Sequence, residues 1–475
     1  MSIIPESGLS DDQHQLVRDD LEQQEQELER DNVGDTNENE EIDEDSQKPK
    51  VYTSQLAALF IIVNVTIGVG LLAMPYSMQS AGIVFSMLIQ MVFLGLIIIT
   101  CIMCTELTVK SAVTSYHDII RIHCHPFIYH LTQVSIFLLV FGTTVAYIVT
   151  IGDQSDRLFL TVTNDPKFCH VWYMNRRFIM SITTLLAIKP LCSARTVDFL
   201  KYASFLGILS IGFIFYVVSN EFFNGSRAQD VNYLPKSWKD VATILPVFAL
   251  GYQCHLSLVP AVSTIRRSEK PKAFVTTTVA MVISAIIYSS ISILAVLTFG
   301  SKINKDLTES YPGKSAVPTI IIVAIKCVLT LPAAYLPARL SIVDILTNNW
   351  SRFARFSEPV RRIGVTIIFL DIALLLALTV PDIVVVVSFL GFLAVMFIFQ
   401  LPGIAYLNLV KQNRLEKQQA AGLDPQVPNY NARDRMKLAA SYFMIVFGSI
   451  ITVVVLYKSI EGIIMNSPSP PLCVG

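Results

Sequence analysis

The chain has 475 residues and a formal net charge of −1, and 53% of its residues are hydrophobic while only 15% are charged. A soluble domain of ordinary composition carries about a quarter charged residues, so long segments of this chain have no polar face and belong in lipid. The sequence contains no HExxH, Walker or G-x-S-x-G motif, and its basic residues follow the ends of apolar segments, which excludes the common enzyme classes and nucleic-acid binding.

The first element is an acidic segment, residues 1–50, which holds 17 of the 37 acidic residues and four of the 36 basic ones. It has no aromatic residue before Tyr52 and too little apolar surface to offset chain entropy. It also lacks the basic start and apolar stretch of a signal peptide. We therefore predict a disordered cytosolic tail, either merely solvated or docking a cytosolic partner.

Eleven apolar segments follow. A hydrocarbon core about 30 Å thick requires about 20 apolar residues in a helix, and a helix satisfies backbone groups that have no water to bind. The predicted fold is therefore an all-α membrane domain over residues 51–463, followed by a short non-cytosolic tail, 464–475. The spans are predicted at 54–78, 82–106, 127–151, 178–194, 202–222, 241–261, 274–299, 317–338, 362–381, 383–409 and 437–459.

Lysine and arginine in alternate loops orient the spans, with the amino terminus in the cytosol and the carboxyl terminus outside it. Asn224-Gly225-Ser226 then lies on the non-cytosolic side, where Asn224 is a glycosylation acceptor. We expect deglycosylation to shift the electrophoretic mobility of the wild type but not of Asn224→Gln. A sugar on Asn349, in the acceptor motif Asn349-Trp350-Ser351, would reverse the predicted orientation.

The first span contains Asn64, Thr66, Gly68 and Gly70 near its middle, and Pro75 follows. Alternate glycines loosen a helix, and a broken helix exposes free amides to a carboxylate and free carbonyls to an ammonium group or a cation. The pattern favours a ligand site. A packing face of small residues is the alternative interpretation.

The sixth span has the same character, with Pro246, Gly251, Gln253, His255 and Pro260 in one apolar segment. Breaks in the first and sixth spans suggest a repeat of five helices plus five, with an eleventh added. His255 has an imidazole that titrates near neutral pH. It could gate transport, or it could be a buried histidine that donates one hydrogen bond.

Two ionisable residues, Lys326 and Asp371, lie near the middle of the eighth and ninth spans. Charge at the bilayer centre costs at least about 2.5–3.5 kcal/mol, so we predict a buried Lys326–Asp371 ion pair or a proton relay through Asp371. A static pair that fixes packing is an equal alternative. Cys101 and Cys104 have CxxC spacing, but they lie one turn apart in an apolar segment, which favours ordinary packing.

Several stretches, in order, resemble the amino acid/auxin permease superfamily, and within it the sodium-coupled neutral amino acid transporters. The likeness covers about residues 51–460. The stretches that carry it are NVTIGVGLLAMPYSMQSAG, FGTTVAYIVTIGDQSDRL, KPLCSARTVDFLKYASFLG, GYQCHLSLVPAV, LTFGSKINKDLTESYP, LTLPAAYLPARLSI and VPDIVVVVSFLGFLAVMFIFQLPGIAYL.

This resemblance implies a fold of the bacterial leucine transporter type, with alternating access around the two broken helices. The cargo it implies is a small neutral amino acid such as glutamine or asparagine, and the compartment a lysosomal, vacuolar or plasma membrane. The family's sodium ligands map onto Asn64 and Thr330. The substrate would be bound by backbone groups of two facing segments: Thr66, Ile67, Gly68, Val69 and Gly70, opposite Phe248, Ala249, Leu250 and Gly251.

One departure from the family pattern is Lys326, which precedes Thr330 by one helical turn and shares its face. Its ammonium group could occupy or repel the cation, so we predict weak sodium dependence, with protons or an exchanged substrate as driver. No cofactor is expected beyond a coupling sodium ion or proton. A transporter-like protein that senses amino acids and signals through residues 1–50 is the alternative function.

Overall fold

The structure, a computed structural model, describes residues 53–68, 70–165, 168, 170–194, 197–225, 227–311, 316–379, 390–420 and 430–465. The predicted tail 1–50 lies outside these ranges, as do all but the first two residues of the predicted tail 464–475 and residues 383–389 of the tenth predicted span. Within them the chain is helical, without a named β-strand; one isolated bridge joins Thr53 to Ile265. The expected all-α architecture is confirmed for the described residues.

The first span is broken. Helix α1 (Gln55–Thr66) and helix α2 (Gly70–Ala81) are bent by 55° relative to each other. The Ser54 side chain caps α1 by accepting a hydrogen bond from the Ala57 amide. Ile67, with φ −83° and ψ 73°, leaves the helical region and ends α1. The break predicted from the glycine pattern is therefore present.

Three helices follow: α3 (Ile83–Ser111), the short α4 (Tyr116–His123) and the long α5 (Pro126–Thr163). The turn before α3 requires Gly82, which has φ +82° and whose added Cβ would lie 2.6 Å from the carbonyl carbon of Leu234. Because α5 continues twelve residues beyond the apolar segment that predicts it, apolar patterning locates its membrane part rather than its end.

The fourth span combines α6 (Arg176–Thr183), a π turn (Thr184–Ile188) and α7 (Lys189–Cys192). Helix α8 (Val197–Asn224) is the fifth. Its last residue, Asn224, is exposed, and its side-chain amide donates to Asn220 Oδ1 at 2.8 Å. Exposure satisfies one requirement for a glycan, and glycosylation of Asn224 stays a prediction.

The sixth span is also broken, into α9 (Trp238–Gly251) and α10 (His255–Ser263). The three linking residues, 252–254, form a short turn in which the Tyr252 amide still donates to Phe248 O at 2.9 Å. Pro246 lies inside α9 and Pro260 inside α10, so the interruption falls between the two prolines, at Gly251.

The remaining helices are α11 (Ala273–Phe299), α12 (Val317–Asn349), α13 (Ser351–Ala354), α14 (Glu358–Ala377), α15 (Leu401–Ala420), which a π turn (Met396–Gln400) precedes, and α16 (Ala432–Met465). Among the described residues, eight helices are long and apolar enough to cross a membrane when α9 and α10 are counted together, or nine when the bent pair α1–α2 also counts as one span. Helices also cover two further predicted segments: α6–α7 the fourth and α14 the ninth.

Packing places both broken spans at the centre of the bundle. Helix α1 contacts α8 and α11, α9 contacts α2, and α12 contacts α5 and α8. Among the largest fully buried side chains are Phe248, Tyr252 and Tyr288, all within or beside the second break. The interrupted segments are thus enclosed by intact helices, which is where irregular backbone is tolerated at membrane depth.

Candidate substrate and cation site

The two breaks meet. A Cβ added to Gly70, at the start of α2, would lie 3.0 Å from Gly251 Cα, at the end of α9. The contact is between backbones, so a side chain at this position has no flexible neighbour to displace. Gly70 and Gly251 therefore allow the two backbones to approach more closely than residues with a Cβ would.

One tyrosine links both breaks. The Tyr288 hydroxyl, on α11, lies 2.8 Å from the Thr66 carbonyl oxygen and 3.0 Å from the Gly251 carbonyl oxygen. A phenol has a single proton to donate, so the two carbonyls share it. Both oxygens end a half-helix and lack the usual helical donor, although the Thr66 oxygen also accepts from the Gly68 amide at 2.9 Å. The Tyr288 hydroxyl therefore provides a hydrogen-bond donor to the last carbonyl of both α1 and α9.

Gln90, on α3, hydrogen-bonds both the linking turn of the second break and α11. Its side-chain amide donates to Tyr252 Oη at 2.8 Å, to Ala285 O at 3.1 Å and to Ser289 Oγ at 2.9 Å. The rings of Tyr252 and Tyr288 are 5.2 Å apart between centroids. These contacts connect the linking turn of the second break to α11, so the position of the Tyr288 hydroxyl is determined by packing on both sides.

A cavity opens at the junction of the breaks, with about 590 Å³ of empty volume including its open mouth. Its walls come from both breaks, from α5 and α12, and from Leu390. The lining residues are Val65, Thr66, Gly68, Gly70, Leu139, Val140, Thr143, Ala146, Tyr147, Leu250, Gln253, Leu256, Ser257, Ala334 and Leu390.

The predicted substrate residues are distributed around this cavity. Thr66, Gly68, Gly70 and Leu250 line it, whereas Val69 lies outside the described residues. The others support the lining from behind and are buried: Ile67, Phe248, Ala249 and Gly251. The structure brings the two predicted segments together as facing walls, and their role in binding substrate stays a prediction.

Four polar lining residues are missing from the predicted site: Thr143, Tyr147, Gln253 and Ser257. An added Cβ on Gly68 would lie 2.8 Å from Tyr147 Oη, so Gly68 also makes room for this tyrosine. Gln253 Nε2 is buried and has no hydrogen-bond partner among the described residues. The proximity of Gln253 to Gly251 in the sequence was the available signal; nothing in the sequence linked Tyr147 to Gly68.

The predicted cation ligands form one cluster with Lys326. Its ammonium group donates to Thr330 Oγ1 at 3.0 Å and to Asn64 Oδ1 at 3.2 Å, and lies 3.5 Å from Asn64 O. Thr330 Oγ1 also donates to Asn64 Oδ1 at 3.2 Å. All three residues are buried. The Lys326 side-chain nitrogen thus lies among three oxygens of Asn64 and Thr330, the residues onto which the family's sodium ligands map, and a role of this cluster in ion coupling stays a prediction.

Gly207, on α8, makes space for Asn64, because an added Cβ would lie 2.1 Å from Asn64 Oδ1. We expect Gly207→Ala to displace the Asn64 amide and destabilise the protein by about 1–3 kcal/mol, the usual cost of overpacking. Thermal unfolding of the purified protein measures this. Gly212→Ala is the matched control, since that Cβ meets nothing within 4 Å. Equal destabilisation by both variants would contradict the role assigned to Gly207.

The predicted Lys326–Asp371 ion pair is wrong. Asp371 Oδ1, on α14, pairs with Lys189 Nζ at 2.5 Å, while Lys326 turns toward α1. The error arises because consecutive spans do not present their charged faces to each other: α12 directs Lys326 to Asn64, and α14 directs Asp371 to α7. A proton relay through Asp371 stays a prediction.

His255 is fully buried at the first position of α10. Its Nε2 lies 3.0 Å from Thr100 Oγ1 and 3.5 Å from Cys101 Sγ, both on α3. The ring is outside the cavity lining. These contacts are those of a buried, hydrogen-bonded histidine; a gating role for His255 stays a prediction.

Comparison with known proteins gives consistent results. Residues 52–461 match the model of the family described as transmembrane amino acid transporter protein. Sodium-coupled neutral amino acid transporter 7 of Danio rerio is 29% identical over 434 residues, which cover 88% of this chain and 90% of the relative. The Homo sapiens protein of the same name is 31% identical over 383 residues, covering 78% and 82%. Solute carrier family 38 member 8 of Homo sapiens is 27% identical over 368 residues, covering 74% and 85%.

Among solved structures, the crystal structure of MhsT in complex with L-phenylalanine is similar, with a TM-score of 0.51 at 14% identity over 87% of this chain and 100% of that chain. This likeness confirms the expected leucine-transporter type of fold. The relatives are solute transporters rather than enzymes. The apolar helices, the two facing breaks and these matches agree that the chain is an integral membrane protein and belongs to the family of transmembrane amino acid transporter proteins.

Proposed function

We propose that this chain is a secondary active transporter of small neutral amino acids, such as glutamine and asparagine, that works by alternating access. The observation that carries the proposal is the cavity shared by both helix breaks. Its walls include residues of the two interrupted spans, Thr66, Gly68 and Gly70 on one side and Leu250 and Gln253 on the other. The names of the Danio rerio and Homo sapiens relatives, sodium-coupled neutral amino acid transporter 7, support a neutral cargo.

Backbone groups are the source of binding for the charged ends of the substrate. Amides at the start of α2 and α10 carry positive partial charge and suit an α-carboxylate, while carbonyls at the end of α1 and α9 suit an α-ammonium group. No lysine, arginine, histidine, aspartate or glutamate is among the lining residues that the structure describes. A substrate with a charged side chain would therefore lose its hydration without gaining an ion-pair partner, so the cavity disfavours charged amino acids.

Gln253 is the residue we assign to recognition of an amide side chain. Its unpartnered Nε2 is buried beside the cavity and can donate to the carbonyl of glutamine or asparagine. We expect Gln253→Leu to lower glutamine uptake about tenfold relative to alanine uptake, because a net hydrogen bond contributes about 0.5–1.5 kcal/mol. Competition between the two labelled substrates in proteoliposomes measures the ratio.

Gln400→Leu is the control for that measurement, because the Gln400 amide bonds Ser449 and Thr452 on α16, outside the cavity lining. We expect its ratio of glutamine to alanine uptake to equal that of the wild type. An unchanged ratio in Gln253→Leu would remove Gln253 from substrate recognition and leave the backbone as the binding surface.

The coupling ion in this proposal is not sodium. The Lys326 ammonium group already bonds Asn64 and Thr330, the two residues onto which the family's sodium ligands map. A second cation in that cluster would face like-charge repulsion. Protons or an exchanged amino acid then supply the driving force.

The experiment that tests the function is counterflow in reconstituted vesicles. Vesicles preloaded with unlabelled glutamine are diluted into labelled glutamine, alanine or arginine at two pH values. We expect transient accumulation of glutamine and alanine but not of arginine, and a dependence on pH if protons are coupled. Counterflow of arginine at the rate of glutamine, or no counterflow of any of the three, would overturn the proposal.

A further inference from the structure

A second cluster of ligand atoms lies beside the second break, apart from the lining of the cavity. It consists of Cys101 Sγ on α3, Cys254 Sγ in the linking turn and His255 Nε2 at the start of α10. The three atoms lie within 4.8 Å of one another, and all three residues are fully buried. Thiolates and a neutral imidazole are the donors that thiophilic metal ions prefer.

Two of the three distances between these atoms match the edges of a tetrahedral metal centre, and the third is within 4.8 Å. Cys101 Sγ lies 3.9 Å from Cys254 Sγ and 3.5 Å from His255 Nε2. A tetrahedral ion with bonds of about 2.3 Å to sulfur and about 2.0–2.1 Å to nitrogen has sulfur–sulfur edges of about 3.8 Å and sulfur–nitrogen edges of about 3.6 Å. A disulfide requires a sulfur–sulfur distance of about 2.05 Å, so the observed separation fits a bridging metal and not a bond.

The surroundings also suit a soft ion. Met281 Sδ, on α11, lies 3.9 Å from Cys254 Sγ, so a thioether is available as a further soft donor. Thr100 Oγ1, which contacts His255 Nε2, also donates to Ile97 O at 3.0 Å. The threonine hydroxyl therefore keeps a partner if the imidazole turns its lone pair to a metal.

We propose that Cys101, Cys254 and His255 bind one thiophilic d¹⁰ metal ion, Zn²⁺ or Cu⁺, and that the bound ion inhibits transport. Binding needs no redox step: each of the two thiols loses its proton to solvent, the imidazole ligates in its neutral form, and the ion keeps its oxidation state. Gln253, the chain neighbour of Cys254, lines the cavity, so the cluster lies one residue behind the cavity wall.

The inhibition follows from where the three ligands lie. Cys101 belongs to the unbroken α3, whereas Cys254 and His255 belong to the break itself. A metal that joins them fixes the start of α10 to α3. This step rests on the proposed function, because only a transporter that moves its broken helices during alternating access is stopped by such a link. The metal site itself requires no transport.

The test measures binding first, on the purified full chain under reducing conditions. Titration with Co²⁺, followed by displacement with Zn²⁺, reports the site through the absorption of cysteine-ligated cobalt; a separate titration uses Cu⁺. We expect one ion per chain. Cys101→Ala, Cys254→Ala and His255→Ala should each weaken binding by at least about tenfold, the lower limit for the loss even of an outer partner of a metal ligand.

Cys192→Ala is the matched control, because this buried cysteine lies outside the three-ligand cluster, and its binding should equal that of the wild type. Failure of Co²⁺, Zn²⁺ and Cu⁺ all to bind, or binding that survives the three ligand variants, would overturn the site. Uptake assays then test the consequence. We expect the ion to abolish glutamine uptake by the wild type and a chelator to restore it. Bound metal with undiminished uptake would refute inhibition while leaving the site intact.

Discussion

Replacing Lys326 by methionine should make transport depend on sodium. In the wild type the Lys326 ammonium group donates to Asn64 Oδ1 and to Thr330 Oγ1. Methionine leaves these buried oxygens without the cation, and an added sodium ion can take its place. Hydrogen bonds to charged groups contribute about 1.5–3 kcal/mol, and about 1.4 kcal/mol corresponds to a factor of ten in rate. Uptake by Lys326→Met in choline medium should therefore fall about ten- to a hundredfold.

The measurement is the initial rate of glutamine uptake in proteoliposomes, with choline or sodium as the external cation. The wild type should transport equally in both media, and sodium should restore most of the activity of Lys326→Met. Lys302→Met is the control, because Lys302 is exposed beyond the end of α11 and its loss should leave both rates unchanged. A wild type that stops in choline would show that Lys326 does not substitute for sodium.

The sequence predicted the two helix breaks because their signals are local. Glycines at positions 68, 70 and 251, together with nearby polar residues, lower the cost of leaving the helix within a few residues of chain. Lys326 and Thr330 could likewise be placed on one face from their separation by one turn. The contact of this pair with Asn64 came from the family resemblance and not from the spacing.

Contacts between distant segments were not predictable in the same way. Hydropathy shows that Lys326 and Asp371 lie within spans, but the rotation of each helix about its axis decides their partners, and that depends on packing against all neighbours. The same holds for Cys101 and Cys254, which are 153 residues apart in the chain. The CxxC spacing pairs Cys101 with Cys104 within one turn of α3, whereas in the structure Cys101 Sγ contacts Cys254 Sγ of the second break.

A second large effect is expected for Tyr288→Phe, which removes one hydroxyl and leaves the ring in place. The Gly251 carbonyl oxygen loses the Tyr288 donor, and the Thr66 carbonyl oxygen keeps only the Gly68 amide. An unsatisfied buried polar group costs about 1–3 kcal/mol, here at the point where both broken spans meet. We expect glutamine uptake to fall about tenfold or more, since about 1.4 kcal/mol corresponds to a factor of ten.

Tyr335→Phe separates this effect from a general loss of stability. Tyr335 is also fully buried, and its hydroxyl donates to Thr366 Oγ1 on α14 at 3.2 Å rather than to a carbonyl of either break. Each variant loses one buried hydroxyl donor, so thermal unfolding should shift by similar amounts, whereas uptake should fall only in Tyr288→Phe. Equal loss of uptake in both, at equal thermal stability, would mean that the Tyr288 hydroxyl only supports the bundle. Loss confined to Tyr288→Phe would mean that the substrate depends on how this hydroxyl holds the two half-helix ends.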